Sequence, residues 1–157
     1  MVLNIKLDDI IQGLEFQSDE HHSYLNKTTG EVITISDEEF HAVEENRPLE
    51  NFPEWQHDAI KLAKEILETD NLIDLPGKFD INEYGIMERF CQTINDDTRK
   101  EEMYFSIKGR GAFRMFKHNI HKFGIVDDWY KFRDEALKQI AIEWCEENGI
   151  LFLTKPD

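Results

Sequence analysis

Two cysteines, Cys91 and Cys145, are all that 157 residues contain. They lie far apart and form no CxxC pair, so a disulfide framework is excluded. Both sit among apolar neighbours in helix-like patterns, which suits buried free thiols. No apolar run approaches the roughly 20 residues that a membrane-spanning helix needs. The first nine residues, Met1-Val-Leu-Asn-Ile-Lys-Leu-Asp-Asp9, lack the apolar core of a signal peptide, and a cytoplasmic protein is the expectation. Internal repeats and low-complexity segments are absent. Basic residues are scarce: 18 Lys and Arg stand against 33 Asp and Glu, a net charge of −15. That balance disfavours nucleic acid and anionic membrane as partners, because its long-range field repels phosphate.

What is present is enough for a core. The hydrophobic fraction is 40%, with 11 Phe, 4 Tyr and 3 Trp, which argues against intrinsic disorder despite the charge. The length fits one domain. Leu7, Ile10, Ile11 and Leu14 recur at helical spacing, with Asp8 and Asp9 in the first turn, where the helix dipole favours anions. Residues 23–27 and 31–35, joined through Thr28-Thr29-Gly30, predict a β-hairpin. Ser36-Asp-Glu-Glu39 has the form of a capping box and predicts a helix to about residue 45. Pro53 opens a helix to about residue 69 with Trp55, Ala59, Leu62, Ala63, Ile66 and Leu67 on its apolar side. Residues 72–77 form a short extended link. Asp80-Ile-Asn-Glu83 is a second capping box, with Asp80 as the cap, ahead of a helix through Ile94. Residues 98–108 predict a short helix stopped by Gly109. A last long helix opens at Asp127-Asp128 and ends at Gly149, and Ile150-Leu-Phe-Leu153 is an apolar tail with strand character. The expected fold class is α+β, mostly α, with about six helices and one N-terminal hairpin. It is organised as one domain over residues 1–157, with hairpin and helices to about 50, a helical core from 53 to 149, and a tail from 150.

Acid is missing from one stretch in particular. Residues 103–126 contain no Asp or Glu and five Lys or Arg, leaving 33 acids and 13 bases in the remaining 133 residues. Inside this stretch Phe113, Phe116, Ile120 and Phe123 fall within an arc of about 80° on a helical wheel. Arg110, Arg114, Lys117, His118, His121 and Lys122 occupy a separate face. Gly124 is placed to end the helix.

Several blocks resemble the bacterial uncharacterised protein family one-five-eight: Leu14-Glu-Phe-Gln-Ser-Asp-Glu20, Tyr24-Leu-Asn-Lys-Thr-Thr-Gly-Glu-Val32, Phe79-Asp-Ile-Asn-Glu-Tyr84, Gly109-Arg-Gly-Ala-Phe-Arg114, and Trp129-Tyr-Lys-Phe-Arg-Asp-Glu-Ala136 through Ile140-Ala-Ile-Glu-Trp-Cys145. The resemblance covers nearly the whole chain. It implies a single cytosolic bacterial domain, and it transfers no catalytic residue.

Lys108-Gly109-Arg110-Gly111, ahead of a helix, exposes backbone N–H groups at a helix N-terminus, the physical basis of an anion site. Arg114, one turn on, is placed to add a bidentate fork to phosphate or carboxylate. The bland alternative is that the glycines only turn the chain and the arginines pair with acidic neighbours. Other constellations have simpler readings. Asp19-Glu20-His21-His22 alternates faces on a strand, His118 and His121 have cationic surroundings, and Asp96-Asp97 and Asp127-Asp128 sit where helices begin. The acidic residues 37–50 form a solvated face. No metal, cofactor or catalytic residue is therefore expected. The leading expectation is a non-enzymatic interaction or regulatory domain that binds an acidic protein partner or a small anion through Gly109, Arg110, Gly111, Arg114, Lys117 and Lys122. One rival is an enzyme acting on a phosphorylated small molecule, with the arginines as a clamp and Tyr130, His118 or His121 as acid–base groups. The other is an acidic nucleic-acid mimic.

Overall fold

The structure is a computed structural model that describes residues 5–68 and 70–154. Its fold is α+β and mostly α. By compactness the chain falls into two units, residues 1–81 with 140–157, and residues 82–139.

The first unit begins with α1 (Leu7–Phe16), whose Leu7, Ile10 and Leu14 are buried. β1 (His21–Asn26) and β2 (Val32–Ser36) form the hairpin, with Leu25 opposite Val32 and His21 opposite Ser36. The turn is fixed by Asn26, whose Oδ1 accepts from Thr28 N at 2.8 Å while its carbonyl accepts from Gly30 N at 2.8 Å. β3 (Leu72–Asp74) pairs antiparallel with the other edge of β1, giving the order β2-β1-β3. The link expected at 72–77 is thus extended, but it is also the third strand of a sheet. α2 (Asp37–Glu44) follows β2 directly, with Ser36 Oγ accepting from Glu39 N. A 3-10 turn (Leu49–Asn51) leads to α3 (Glu54–Glu68), and α4 (Lys78–Ile81) is a single turn after β3. The C-terminal tail reaches the start of α1: Leu153 N donates to Ile5 O at 2.7 Å, and Leu7 N donates to Leu153 O at 2.9 Å. This is one parallel bridge rather than a full strand.

α3 departs from its expected orientation. Its buried residues are Gln56, Ile60 and Ala63, while Trp55 is 79% exposed and Leu67 is also exposed. The wheel assigned Trp55 to the core by residue type. The helix instead turns Gln56, Ile60 and Ala63 inward.

The second unit comprises α5 (Glu83–Gln92), α6 (Asp97–Ser106), α7 (Ala112–Lys122) and the first part of α8 (Val126–Glu147), whose residues from Ile140 onward belong to the first unit. The second capping box is not made as expected. Asn82, not Asp80, caps α5: it adopts a left-handed conformation (φ 50°), and its side chain accepts from Gly85 N at 3.1 Å. Asn tolerates that region and carries its own acceptor, which suits it to this corner. Asp80 accepts from Gly77 N instead. Asp96 caps α6, accepting from Arg99 N at 3.1 Å. An aromatic cluster holds this unit. Phe116 of α7 meets Trp129 of α8 edge-on at 4.7 Å between ring centroids, and Phe90 of α5 meets Trp129 at 5.3 Å and Phe116 at 6.1 Å. Such edge-to-face pairs add to the hydrophobic gain of burial. Among the described residues no helix is long and apolar enough to cross a membrane.

Candidate functional site: the exposed face of α7

The segment between α6 and α7 turns through two glycines with positive φ, Gly109 at 84° and Gly111 at 74°. L side chains strain in that region, so glycine lets the chain reverse in so few residues. Gly111 is the N-cap of α7 and offers no side-chain acceptor. The first N–H groups of the helix therefore lack the usual side-chain cap. No acid lies in the first turn. Instead Arg114 curls back toward the cap, its Nη2 3.7 Å from the point a Gly111 Cβ would occupy. A helix N-terminus carries partial positive charge and normally attracts carboxylates. Here cations crowd it, at a cost in local stability, and the positive potential is concentrated rather than neutralised.

Phe116, Asn119 and Ile120 are the buried residues of α7. Burying Phe116 and Ile120 contributes about 1.5–3 kcal/mol each. The expected apolar arc is narrower than its residue types suggested. Phe113 is 52% exposed, and Phe123 is half-buried beneath two cations, with Arg99 and Lys122 at 5.5 and 5.3 Å from its ring centroid. On the opposite side Lys117, His121, Arg114, His118 and Lys122 follow one another around about 140° of the helix, and all five are exposed. Arg110 is exposed in the turn.

The counter-charge alternative made a definite demand, that intramolecular carboxylates should hold the arginines. Lys122 does pair with Glu102 of α6, at 3.6 Å. Among the described residues Arg110, Arg114 and Lys117 make no ion pair. Lys108 lies over the Phe105 ring at 5.5 Å. Three of the six candidate residues are thus cations exposed to water without a partner, one is a half-engaged lysine, and two are the glycines that shape their approach.

The charge is also unevenly divided between the units. By sequence the first holds 23 Asp and Glu against 7 Lys and Arg, a net of −16, and the second holds 10 against 11, a net of +1. Four described cavities, of about 330, 400, 650 and 500 Å³, take no wall from Arg110, Arg114, His118, His121 or Tyr130. The acid–base candidates have ordinary surroundings. His121 Nδ1 lies 3.0 Å from its own helix's Lys117 carbonyl, and Tyr130 is exposed. Of the acidic pairs, Asp96 caps α6 and Asp97 opens it, and Asp127 and Asp128 lie in the first turn of α8. His22 Nε2 is engaged by Asp37 Oδ1 at 2.8 Å and His21 Nδ1 lies 3.3 Å from Ser18 Oγ, so the two histidines work separately. Among the described residues no three His, Cys, Asp or Glu converge as a metal ion would require. Cys91 and Cys145 are fully buried, and burial pushes both thiols up to about 11. A thiol so held is not a nucleophile at neutral pH.

One group escaped the sequence reading. The solvated acidic face expected over residues 37–50 has one exception, since Glu39 is only 9% exposed. Its N3 position in a capping box was the available signal. The reciprocal half of that box is not made, and Glu39 Oε2 is buried without a hydrogen-bond partner.

The chain matches the uncharacterised protein family UPF0158 across residues 1–157. It is 24% identical over 153 residues to a UPF0158 protein of Pseudomonas aeruginosa, covering 94% of this chain and 85% of that protein. No solved structure matches it.

Proposed function

This chain belongs to the UPF0158 family, whose function is uncharacterised, and we propose that it is a non-enzymatic interaction module that docks an acidic segment of a protein partner on the exposed face of α7. Arg110, Arg114, Lys117 and Lys122 are the contacting cations. Gly109 and Gly111 let the partner's backbone approach. The observation that carries the reading is the set of unpaired guanidiniums at an acid-free helix N-terminus, in a chain with 33 acidic residues. Arginine forks favour carboxylates over water when two N–H groups can be matched at once. A stripe extending over the whole length of α7 suits an extended acidic peptide better than a single ion.

The test is fluorescence anisotropy with a labelled hexaglutamate peptide at 0.15 M salt, with inorganic phosphate as competitor. Expected is saturable binding, lost in the double variant Arg114→Glu/Lys117→Glu with its circular dichroism unchanged, and not displaced by millimolar phosphate. Equal binding by the variant overturns the reading. Displacement by phosphate would move it to a small-anion site at the helix N-terminus.

A further inference from the structure

A charged concavity lies wholly within the first unit, between the start of β1, the first turn of α2 and the first turn of α3. Its volume, about 650 Å³, is in the range of small-molecule pockets. Glu20, Asp37, Glu38 and Glu39 all contribute to its wall. Arg47 also lines it, with its guanidinium paired to Glu45, and Asp37 is paired with His22. Four carboxylates would be only an acidic surface were it not for Glu39. That side chain is nine-tenths buried, and its Oε2 has no donor. Buried polar groups are ordinarily hydrogen-bonded, and one that is not calls for an explanation, such as a water, an ion or a ligand. Trp55 stands at the rim, 79% exposed, where neither packing nor a hydrogen bond explains a tryptophan.

We infer that this pocket binds an organic cation, a guanidinium or alkylammonium group, with Glu39 as the buried acceptor and the Trp55 ring as a cation–π wall. The donors do not suit a bare metal ion, since no three of them converge. A guanidinium needs no such convergence. It is planar, presents donors along several edges, and stacks on aromatic faces. The cation could arrive as a free diamine-like molecule or as an arginine side chain of a peptide, and the chemistry at the pocket is the same.

The protein carries its own reporter. Of its three tryptophans, Trp129 is 5% and Trp144 9% exposed, so a ligand reaching the surface perturbs Trp55 selectively. The intact chain is titrated at 0.15 M salt with agmatine, with an acetylated Gly-Arg-Gly amide, and with MgCl2. Expected is a saturable change of emission with the two guanidinium probes and none with Mg²⁺. Glu39→Gln should weaken both at least tenfold with an unchanged thermal midpoint. Glu38→Gln, on the exposed wall, should weaken them two- to threefold and serves as the reading if Glu39→Gln misfolds. Trp55→Phe, followed calorimetrically, should weaken them several-fold. Preference for agmatine over the peptide identifies a small-molecule site, and the reverse identifies a peptide site. Non-saturating changes, an equal response to Mg²⁺, or affinity unaltered by Glu39→Gln each overturn the inference and leave Glu39 a carboxylate served by water. Because every probe is cationic and every variant lies in the first unit, the outcome is independent of the α7 proposal.

Discussion

Truncating Phe116 tests whether α7 is held as described. The ring is 2% exposed and lies between Trp129 at 4.7 Å and Phe90 at 6.1 Å. Phe116→Ala removes both edge-to-face pairs and leaves a cavity in a rigid aromatic cluster. Buried Phe→Ala changes cost about 3–5 kcal/mol, and the rings around this site have little freedom to collapse, so about 4 kcal/mol is expected. With a urea slope of about 2 kcal/mol per M, the midpoint falls by about 2 M. Phe116→Leu keeps most of the volume and loses mainly the ring geometry, so it should cost about 1–1.5 kcal/mol. Unfolding followed by both circular dichroism and tryptophan emission separates these cases. Trp129 should also shift to longer wavelength in the folded Ala variant as water reaches it. A cost below about 1 kcal/mol for Phe116→Ala, or equal costs for Ala and Leu, would refute this account of the packing. It would also remove the reason for assigning the opposite side of α7 to solvent.

Two glycines should respond for opposite reasons. Gly111→Ala meets only ordinary contact with Arg114 but must keep φ at 74°, so a loss of about 1–2 kcal/mol is expected from strain alone in a thermal melt. Gly13→Ala gains about 1 kcal/mol of helix propensity. Its Cβ, however, would stand 2.7 Å from Leu75 Cδ2 and 2.8 Å from Val32 Cγ1, and overpacking of about 1–3 kcal/mol should cancel the gain or exceed it. The thiols predict an alkaline limit. Their folded values, about 11, are raised above the ordinary thiol value, so the unfolded chain releases protons first. Stability is therefore fully present below about pH 8.5 and falls as pH rises toward 11. Tyr24, raised by burial and then by Asp74 and Asp37, acts in the same direction. Urea midpoints at pH 8 and pH 10.5 should show the loss, and a Cys91→Ala/Cys145→Ala variant should show less of it.

Much of the architecture was legible because it depends on local pattern. α1 has its expected bounds since Leu7, Ile10 and Leu14 recur at one helical interval, and Asp96 caps α6 by the side-chain chemistry its position offered. What escaped depends on distant partners. Residues 72–74 have no period to reveal, and become a strand only because the free edge of β1 is beside them. Residue type and helical period place Trp55 and Phe113 on apolar faces, but periodicity cannot say where the neighbouring elements stop. Glu39 was hidden by its company, for a run of acids carries no mark of which member is buried. The cationic segment was legible from composition. The freedom of its arginines was not, since that turns on which carboxylates α6 presents, and Glu102 reaches only Lys122.

The division of charge between the two units makes ionic strength a selector. In dilute buffer of about 0.01 M salt, charges are felt over about 30 Å, and an approaching partner meets the net charge of the protein, −15. Near 0.15 M the reach shrinks to about 8 Å, and the cations nearest the surface decide the sign. An acidic partner is then repelled in dilute solution, accepted at physiological salt, and released again when screening reaches the contacts themselves. Where most ion-paired surfaces bind best in the least salt, this one would have its optimum in the middle.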